Sequence, residues 1–326
     1  MEKWLAIIKS SVAVPTFASY STTVKKIVSP YFREREVTLK NLTAKDIQEF
    51  YLSELERVSP SSVIHYHANI HKALKYAVKI DLIDVNPADK VERPKKDRYV
   101  GSFYDADEVN ALFEVAKGSK LELPILFGAF YGLRRSEAIG LKWDAIDFDQ
   151  NTITIRHTVT SCDLDGKRVL VASDTTKTKS SMRTLPLVPF MRERLLTLKE
   201  EQQENRRLCG RSYIKEYLEY VCVNEIGDLI KPHYVTESFP KLLKAKGMRQ
   251  IRYHDLRHPY VKPTTKNKYL QKQKSQATNE MIARDYCFYC CSIQAAHEGQ
   301  KPCSAITAFT NSPHRSHTTI SFSNPQ

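Results

Sequence analysis

At 326 residues, the chain is long enough for two domains with cores of their own, and its net charge of +13 favours a polyanionic partner, because cationic faces gain affinity by releasing counterions from phosphates. Seven cysteines, an odd number, and an opening apolar run Trp4 to Ile8 too short for a signal-peptide core argue against a secreted disulfide framework and for a reducing cytoplasm. The longest apolar stretch, Leu121 to Leu133, contains Glu122, Pro124 and two glycines and is too short to span a membrane, so no membrane partner is expected.

In chain order, residues 1 to about 85 read as helices. Tyr20, Val24, Ile27, Val28 and Tyr31 recur at helical spacing. Thr43 is placed to cap the next helix, with Asp46 three residues on and an apolar stripe of Ile47, Phe50, Tyr51 and Leu55. A third helix starts near Ser61 and buries Val63, Ile70, Leu74 and Ala77, with His65, His71, Lys72, Lys75 and Lys79 on its other face. Such a basic face is either solvated surface or a surface laid along a DNA groove. Asn86-Pro87 is expected to end that helix. The charged, proline-containing stretch Val91 to Arg98 reads as a linker.

From residue 103 a second domain opens, with Asp105 as N-cap and Glu108 at the capping-box position, followed by Val109, Leu112, Phe113 and Ala116 at helical spacing. A buried helix, Pro124 to Gly132, leads into Leu133-Arg134-Arg135-Ser136-Glu137. Thr152 to Val159 alternates, with Ile153, Ile155, His157 and Val159 on one face; Arg168 to Ala172 and Arg183 to Val188 read as two more strands of a small antiparallel sheet. Arg192 to Gln203 and Val235 to Lys246 read as helices, the second stopped by Gly247. The predicted fold class is therefore mainly α with a small antiparallel β-sheet (α+β), divided into 1–88, a linker 89–102, 103–258, and a tail 259–326. That tail of 68 residues holds one leucine, Leu270, and fourteen Ser or Thr, too little aliphatic content for much of a core, so it is expected to be disordered.

Four basic side chains carry the chemistry. Arg134 follows the buried helix and a Gly-Leu turn. Lys177 sits in Thr176-Lys177-Thr178-Lys179-Ser180, expected at a hairpin between two strands. His254 and Arg257 are spaced by three, which puts them on one helix face. Singly, each has an ordinary structural reading as an ion-pair partner, a turn lysine or a cap. As an ordered set they resemble the tyrosine recombinase (phage integrase) family. The resemblance rests on Gly132-Leu133-Arg134-Arg135-Ser136-Glu137-Ala138-Ile139-Gly140-Leu141-Lys142-Trp143, on Lys177 through Leu187, and on His254-Asp255-Leu256-Arg257-His258, in the family's order. It covers about residues 4 to 258.

The resemblance implies a helical core-binding (SAM-like) domain at 1–88 and a catalytic domain at 103–258, the two closing around double-stranded DNA, with a homo-tetramer as the working assembly. It implies cleavage by a tyrosine that displaces a 5′-hydroxyl and leaves a 3′-phosphotyrosyl bond, with no cofactor and no metal. Arginine forks match the charge gathered on a phosphate in the transition state, the role implied for Arg134 and Arg257. Lys177 would protonate the departing oxygen, with Lys179 its close rival, and His254 would assist proton movement. Arg135 is a weaker rival to Arg134.

After His258 the sequence departs from the family's pattern. Members continue in apolar helices, with a Leu-Gly-His-type segment and then the nucleophilic tyrosine; here Pro259 and Pro263 oppose helix continuation, and no Gly-His pair follows. Tyr286 and Tyr289 lie 29 and 32 residues after Arg257, the latter near the family's interval, but flanked by cysteines. This abrupt change leads to the expectation that a frameshift or rearrangement replaced the C-terminal end near residue 259, and keeps a non-catalytic DNA-binding protein as the alternative. Two metal readings are weaker: zinc on Cys287, Cys290, His297 and Cys303, and magnesium on Asp144, Asp147 and Asp149, which also fit a polar turn.

Overall fold

The computed structural model describes residues 1–96, 101–174 and 182–257. Proline sets the start of several helices. Pro15, Pro30, Pro60, Pro189 and Pro232 occupy the first turn of α2 (Val14–Thr23), α3 (Ser29–Glu34), α5 (Pro60–Lys79), α9 (Pro189–Cys209) and α10 (Pro232–Ala245). A first-turn proline lacks only an N–H that has no intrahelical partner, and its fixed φ is already helical. Pro30 has a second effect. It interrupts the helical run that begins in α2, and just before it residues Val24–Val28 form a π-turn in which Ser29 N–H donates to Val24 O. The widened turn keeps the chain helical where proline removes a donor.

α1 (Glu2–Ile8), α2 and α3 pack with α4 (Ala44–Leu55) and α5. Thr43 and Asp46 form the expected capping box, with Thr43 N–H on Asp46 Oδ2 at 2.8 Å. The stripe Ile47, Phe50 and Tyr51 is fully buried against Val28, Val63, Ile70 and Leu74. The next residue of the helix after Tyr51 to be buried is Glu54, paired with Arg57 at 2.7 Å, whereas Leu55 is only partly covered. On α5, His65, Lys72, Lys75 and Lys79 are exposed, while His71 turns its Nε2 to Asp89 at 2.7 Å. The end of α5 differs from expectation. It stops at Lys79, where Asp81 takes a left-handed φ of 55° and Leu82 N–H closes on Ala77 O at 2.9 Å. Asn86 instead caps a 3-10 turn, Pro87–Lys90, accepting from Ala88 N–H at 3.0 Å.

The second part begins with α6 (Ala106–Ala116), whose Asp105/Glu108 capping box forms with both bonds at 2.9 Å. α7 (Glu122–Tyr131) is apolar on nearly every side and lies in the core, with Leu123, Ile125, Leu126, Phe127 and Tyr131 buried. Gly132, at φ 59°, ends it, and α8 (Arg135–Gly140) follows. The strands form two small antiparallel sheets rather than one. β1 (Ile146–Asp147), β2 (Thr152–Ile155) and β5 (Arg183–Pro186) lie in the order β1-β2-β5, with Ile153 opposite both Ile146 and Leu185. β3 (Thr158–Leu164) and β4 (Lys167–Ser173) pair as a hairpin through Asp165-Gly166, both at positive φ as a two-residue primed turn requires.

The alternation seen in the sequence is real, since Ile153, Ile155, His157 and Val159 are all buried. The strand nevertheless breaks at Arg156-His157, where the end of α8 presses on the backbone. A Cβ on Gly140 would stand 2.7 Å from Thr158 Cα and 2.9 Å from His157 O. Backbone cannot yield as a side-chain tip can, so Gly140→Ala is expected to cost roughly 1–3 kcal/mol in urea unfolding. An unchanged midpoint would show that α8 does not need this approach. No helix among the described residues is long and apolar enough to cross a membrane.

Candidate active site

The site grows from the end of α7. Gly132 takes the left-handed conformation open to a residue without Cβ, so the chain reverses and Arg134 becomes the N-cap residue of α8. Glu137, three residues on, turns back to it: Glu137 Oε2 accepts Arg134 N–H at 2.8 Å and Oε1 accepts Arg134 Nη1 at 2.8 Å. β5 brings Arg183 to the same carboxylate, with Nη2 on Oε2 at 2.9 Å. Glu137 is 2% exposed, whereas the side chains of Arg134 and Arg183 keep 51% and 28% of their surface in water. A buried carboxylate thus holds two guanidiniums that still reach solvent.

Burial alone would raise the Glu137 pKa. The hydrogen bonds from Arg183 and from the Arg134 backbone and side chain, with the Arg183 charge, outweigh it and hold the carboxyl below its ordinary value.

Arg257 arrives from the other side of the turn. Its Nε donates at 2.7 Å to Gly132 O. It sits on a 3-10 turn, Tyr253–Arg257, not on a longer α-helix. The spacing of three still serves, because a 3-10 helix has three residues per turn and stacks i over i+3. His254 is therefore on the same face as Arg257, and it is exposed. The turn is fastened to α7 by Tyr253, whose buried hydroxyl donates to Pro124 O at 2.5 Å and whose ring lies against Gly128, where a Cβ would approach the hydroxyl to 3.0 Å. Phe239 of α10 meets that ring edge-on at 5.8 Å. Asp255, also buried, accepts Arg252 N–H at 3.0 Å and Arg252 Nη2 at 2.7 Å. Burial lowers the Arg257 pKa, and the charges of Arg134 and Arg183 lower it further. The three arginines are thus close enough to repel one another.

Of the four residues singled out in the sequence, Arg134 and Arg257 meet at the Gly132 turn, and His254 stands exposed on the same 3-10 turn as Arg257. Lys177 and its rival Lys179 lie outside the described residues. The described strands on either side of them, β4 and β5, belong to different sheets. Asp174, which leads into it, is held by the buried His157 at 2.5 Å. Arg135, the rival to Arg134, engages Thr236 of α10 instead of Glu137.

In the sequence, Glu137 and Arg183 stand only as parts of longer motifs. The readable signal for Glu137 was a carboxylate three residues after a helix-starting arginine, which is a capping-box spacing. No local signal marks Arg183, because its partner is 46 positions away in the chain.

The acidic residues have ordinary work. Asp144 pairs with Arg156 at 2.7 Å, and Asp147 accepts the N–H groups of Asp149 and Gln150 at 2.9 and 2.8 Å, closing a turn. Among the described residues no group of three His, Cys, Asp or Glu is placed to hold a metal ion. Cys287, Cys290, His297 and Cys303, like His258, Tyr286 and Tyr289, lie outside the described residues.

Comparison with known proteins converges on one family. Residues 102–262 match the phage integrase family. A "Tyrosine recombinase XerC-like" protein of Caldanaerobacter subterraneus subsp. tengcongensis is 26% identical over 281 residues, covering 80% of this chain and 70% of that protein. The fold is similar to that of the Tn1549 transposon integrase in complex with transposon right end DNA, with a TM-score of 0.58 at 14% identity over 82% of this chain and 85% of that one. It is similar also to lambda integrase in a tetramer bound to a Holliday junction, with a TM-score of 0.56 at 17% identity over 87% and 75%. With Arg134, Glu137, Arg183 and Arg257 all inside the matched residues, the domain at 102–262 belongs to the tyrosine recombinase (phage integrase) family.

Proposed function

We propose that this protein is a site-specific DNA recombinase or integrase of a phage or mobile element, acting in the cytoplasm on double-stranded DNA, with a C-terminal end replaced after His258. The observation that carries the reading is the juxtaposition of Arg134 and Arg257 across the Gly132 turn, with Glu137 buried beneath. Two forks on one small surface suit the non-bridging oxygens of a phosphodiester, on which charge builds as a tyrosine attacks. Arg134 and Arg257 would hold that phosphate. Lys177 would protonate the departing 5′-oxygen, and His254 would assist proton movement at the same phosphate. Ligation reverses the step, with a second 5′-hydroxyl attacking the phosphotyrosyl bond and the tyrosine leaving, so no cofactor or metal enters.

In this reading residues 1–88 are the core-binding domain, 89–102 the linker, 103–258 the catalytic domain, and 259–326 a tail foreign to the family. The exposed Lys72, Lys75 and Lys79 of α5 would lie against the DNA backbone. A homo-tetramer on two duplexes is the proposed assembly, supported by the lambda integrase tetramer to which this fold is similar.

One observation favours a second reading, a non-catalytic protein that occupies recombination sites. After His258 the sequence has Pro259 and Pro263, no Gly-His pair, and Tyr289 set among cysteines.

A suicide DNA substrate bearing the attachment site of the encoding element separates the two. A protein–DNA band that survives denaturing electrophoresis and disappears in Tyr289→Phe establishes an active recombinase whose tail supplies the nucleophile. Salt-sensitive binding with no covalent band establishes the second reading. Absence of DNA binding overturns both.

A further inference from the structure

We propose that Arg183 is a third arginine of the phosphate site, a positioning residue that works through Glu137 and makes the site selective for an anion of two negative charges. The inference rests on reading Arg134 and Arg257 as the phosphate forks.

Arg134 and Arg183 grip the same buried carboxylate, at 2.8 and 2.9 Å, and Arg257 is fixed beside them on Gly132 O at 2.7 Å. Three guanidiniums against one carboxylate leave a net of two positive charges among these residues. Without Arg183 the net would be a single charge, and the whole of the Glu137 charge would fall on Arg134, which has one guanidinium nitrogen committed to it already.

A phosphodiester carries one negative charge. The pentavalent species formed when a nucleophile adds to it carries a second. A site of two positive charges therefore gains more from the transition state than from the bound DNA, which is the condition for catalysis rather than mere binding. The site can hold this excess because Arg134 and Arg183 keep part of their surface in water while the compensating carboxylate does not.

Arg183 also has a positional role. Its Nη2 and the Arg134 N–H both end on Glu137 Oε2, at 2.9 and 2.8 Å, so β5 and the start of α8 are tied through one oxygen. This fixes the carboxylate and with it the direction of the Arg134 fork. A residue that only stapled β5 to α8 would do the same with no consequence for anion charge, and that difference is testable.

The test uses the whole chain and two tetrahedral probes of similar shape: sulfate, with two charges, and perchlorate, with one. Affinities are measured by calorimetry at constant ionic strength in chloride, so that screening does not differ between titrations. The wild-type protein is expected to prefer sulfate. Arg183→Gln is expected to lose sulfate affinity by about tenfold while perchlorate changes far less, and Arg183→Lys to retain most of the preference. Glu137→Gln, which removes the one negative charge while keeping the shape, is expected to bind sulfate more tightly; a stapling role predicts the opposite sign.

Sulfate binding lost in Arg134→Gln and Arg257→Gln but unchanged in Arg183→Gln would overturn the inference and leave the phosphate-site reading standing. Sulfate binding indifferent to all three arginines would overturn the phosphate-site reading itself. Circular dichroism identifies a variant that fails to fold, and Glu137→Gln then decides by its sign.

Discussion

Phe239→Ala is expected to lower the free energy of unfolding by roughly 3–5 kcal/mol, the range for removing a large aromatic from a packed interior. The ring is fully buried on α10 and stands edge-on to Tyr253, 5.8 Å between centroids. Its loss removes apolar burial and an aromatic pair together, and leaves a cavity beside the 3-10 turn that carries His254 and Arg257. The neighbours cannot close that space freely. Tyr253 is held by its hydroxyl on Pro124 O and by the close approach of Gly128. Urea denaturation measures the stability, and sulfate titration of the folded fraction measures whether the Arg257 turn has loosened. A loss under about 1 kcal/mol, well below the usual cost of such a cavity, would mean that α10 is not the wall on which this turn rests.

Glu137→Ala is expected to cost about 3 kcal/mol, the lower part of the range for breaking a buried ion pair from one side. The lower part applies because the partners Arg134 and Arg183 keep 51% and 28% of their side-chain surface in water and can be resolvated. The effect should depend on pH with a definite sign. The Glu137 pKa is depressed in the folded state by its arginine partners against the opposing effect of burial. The stabilisation from its ionised form is therefore complete above the unfolded glutamate pKa of about 4.3 and is lost as pH falls through the lower folded value. The gap between wild type and Glu137→Ala should be constant near neutrality and shrink only in acid below that point. A gap that shrank already between pH 6 and 8, roughly the range in which histidine titrates, would show that a histidine and not this carboxylate governs it.

Several parts of this molecule were determined by local sequence. Both capping boxes, at Thr43 and Asp105, needed only a side chain three residues from its partner, and both form. Apart from Leu55, which is only partly covered, the stripes on α4 and α5 and the all-round apolar α7 placed their core faces correctly, because helix periodicity maps directly onto burial. The family was also legible, since its motifs are short runs read within single elements.

Tertiary structure decided the rest. The run from Thr152 to Val159 looked like one strand, but it is shared between two sheets because Gly140 of α8 meets the backbone at Thr158, a contact invisible to alternation. Helix α5 ended at a left-handed Asp81 rather than at the later Asn86-Pro87, since chain reversal there closes on Ala77 O. Above all, the charge balance of the site was not in any one motif. Arg134 and Glu137 are three residues apart, but Arg183 joins them from 46 positions beyond Glu137 and Arg257 from 125 positions beyond Gly132. Sequence determines which side chains have forks and charges; only folding brings them to one carboxylate, because Coulomb energy depends on distance in space and not along the chain.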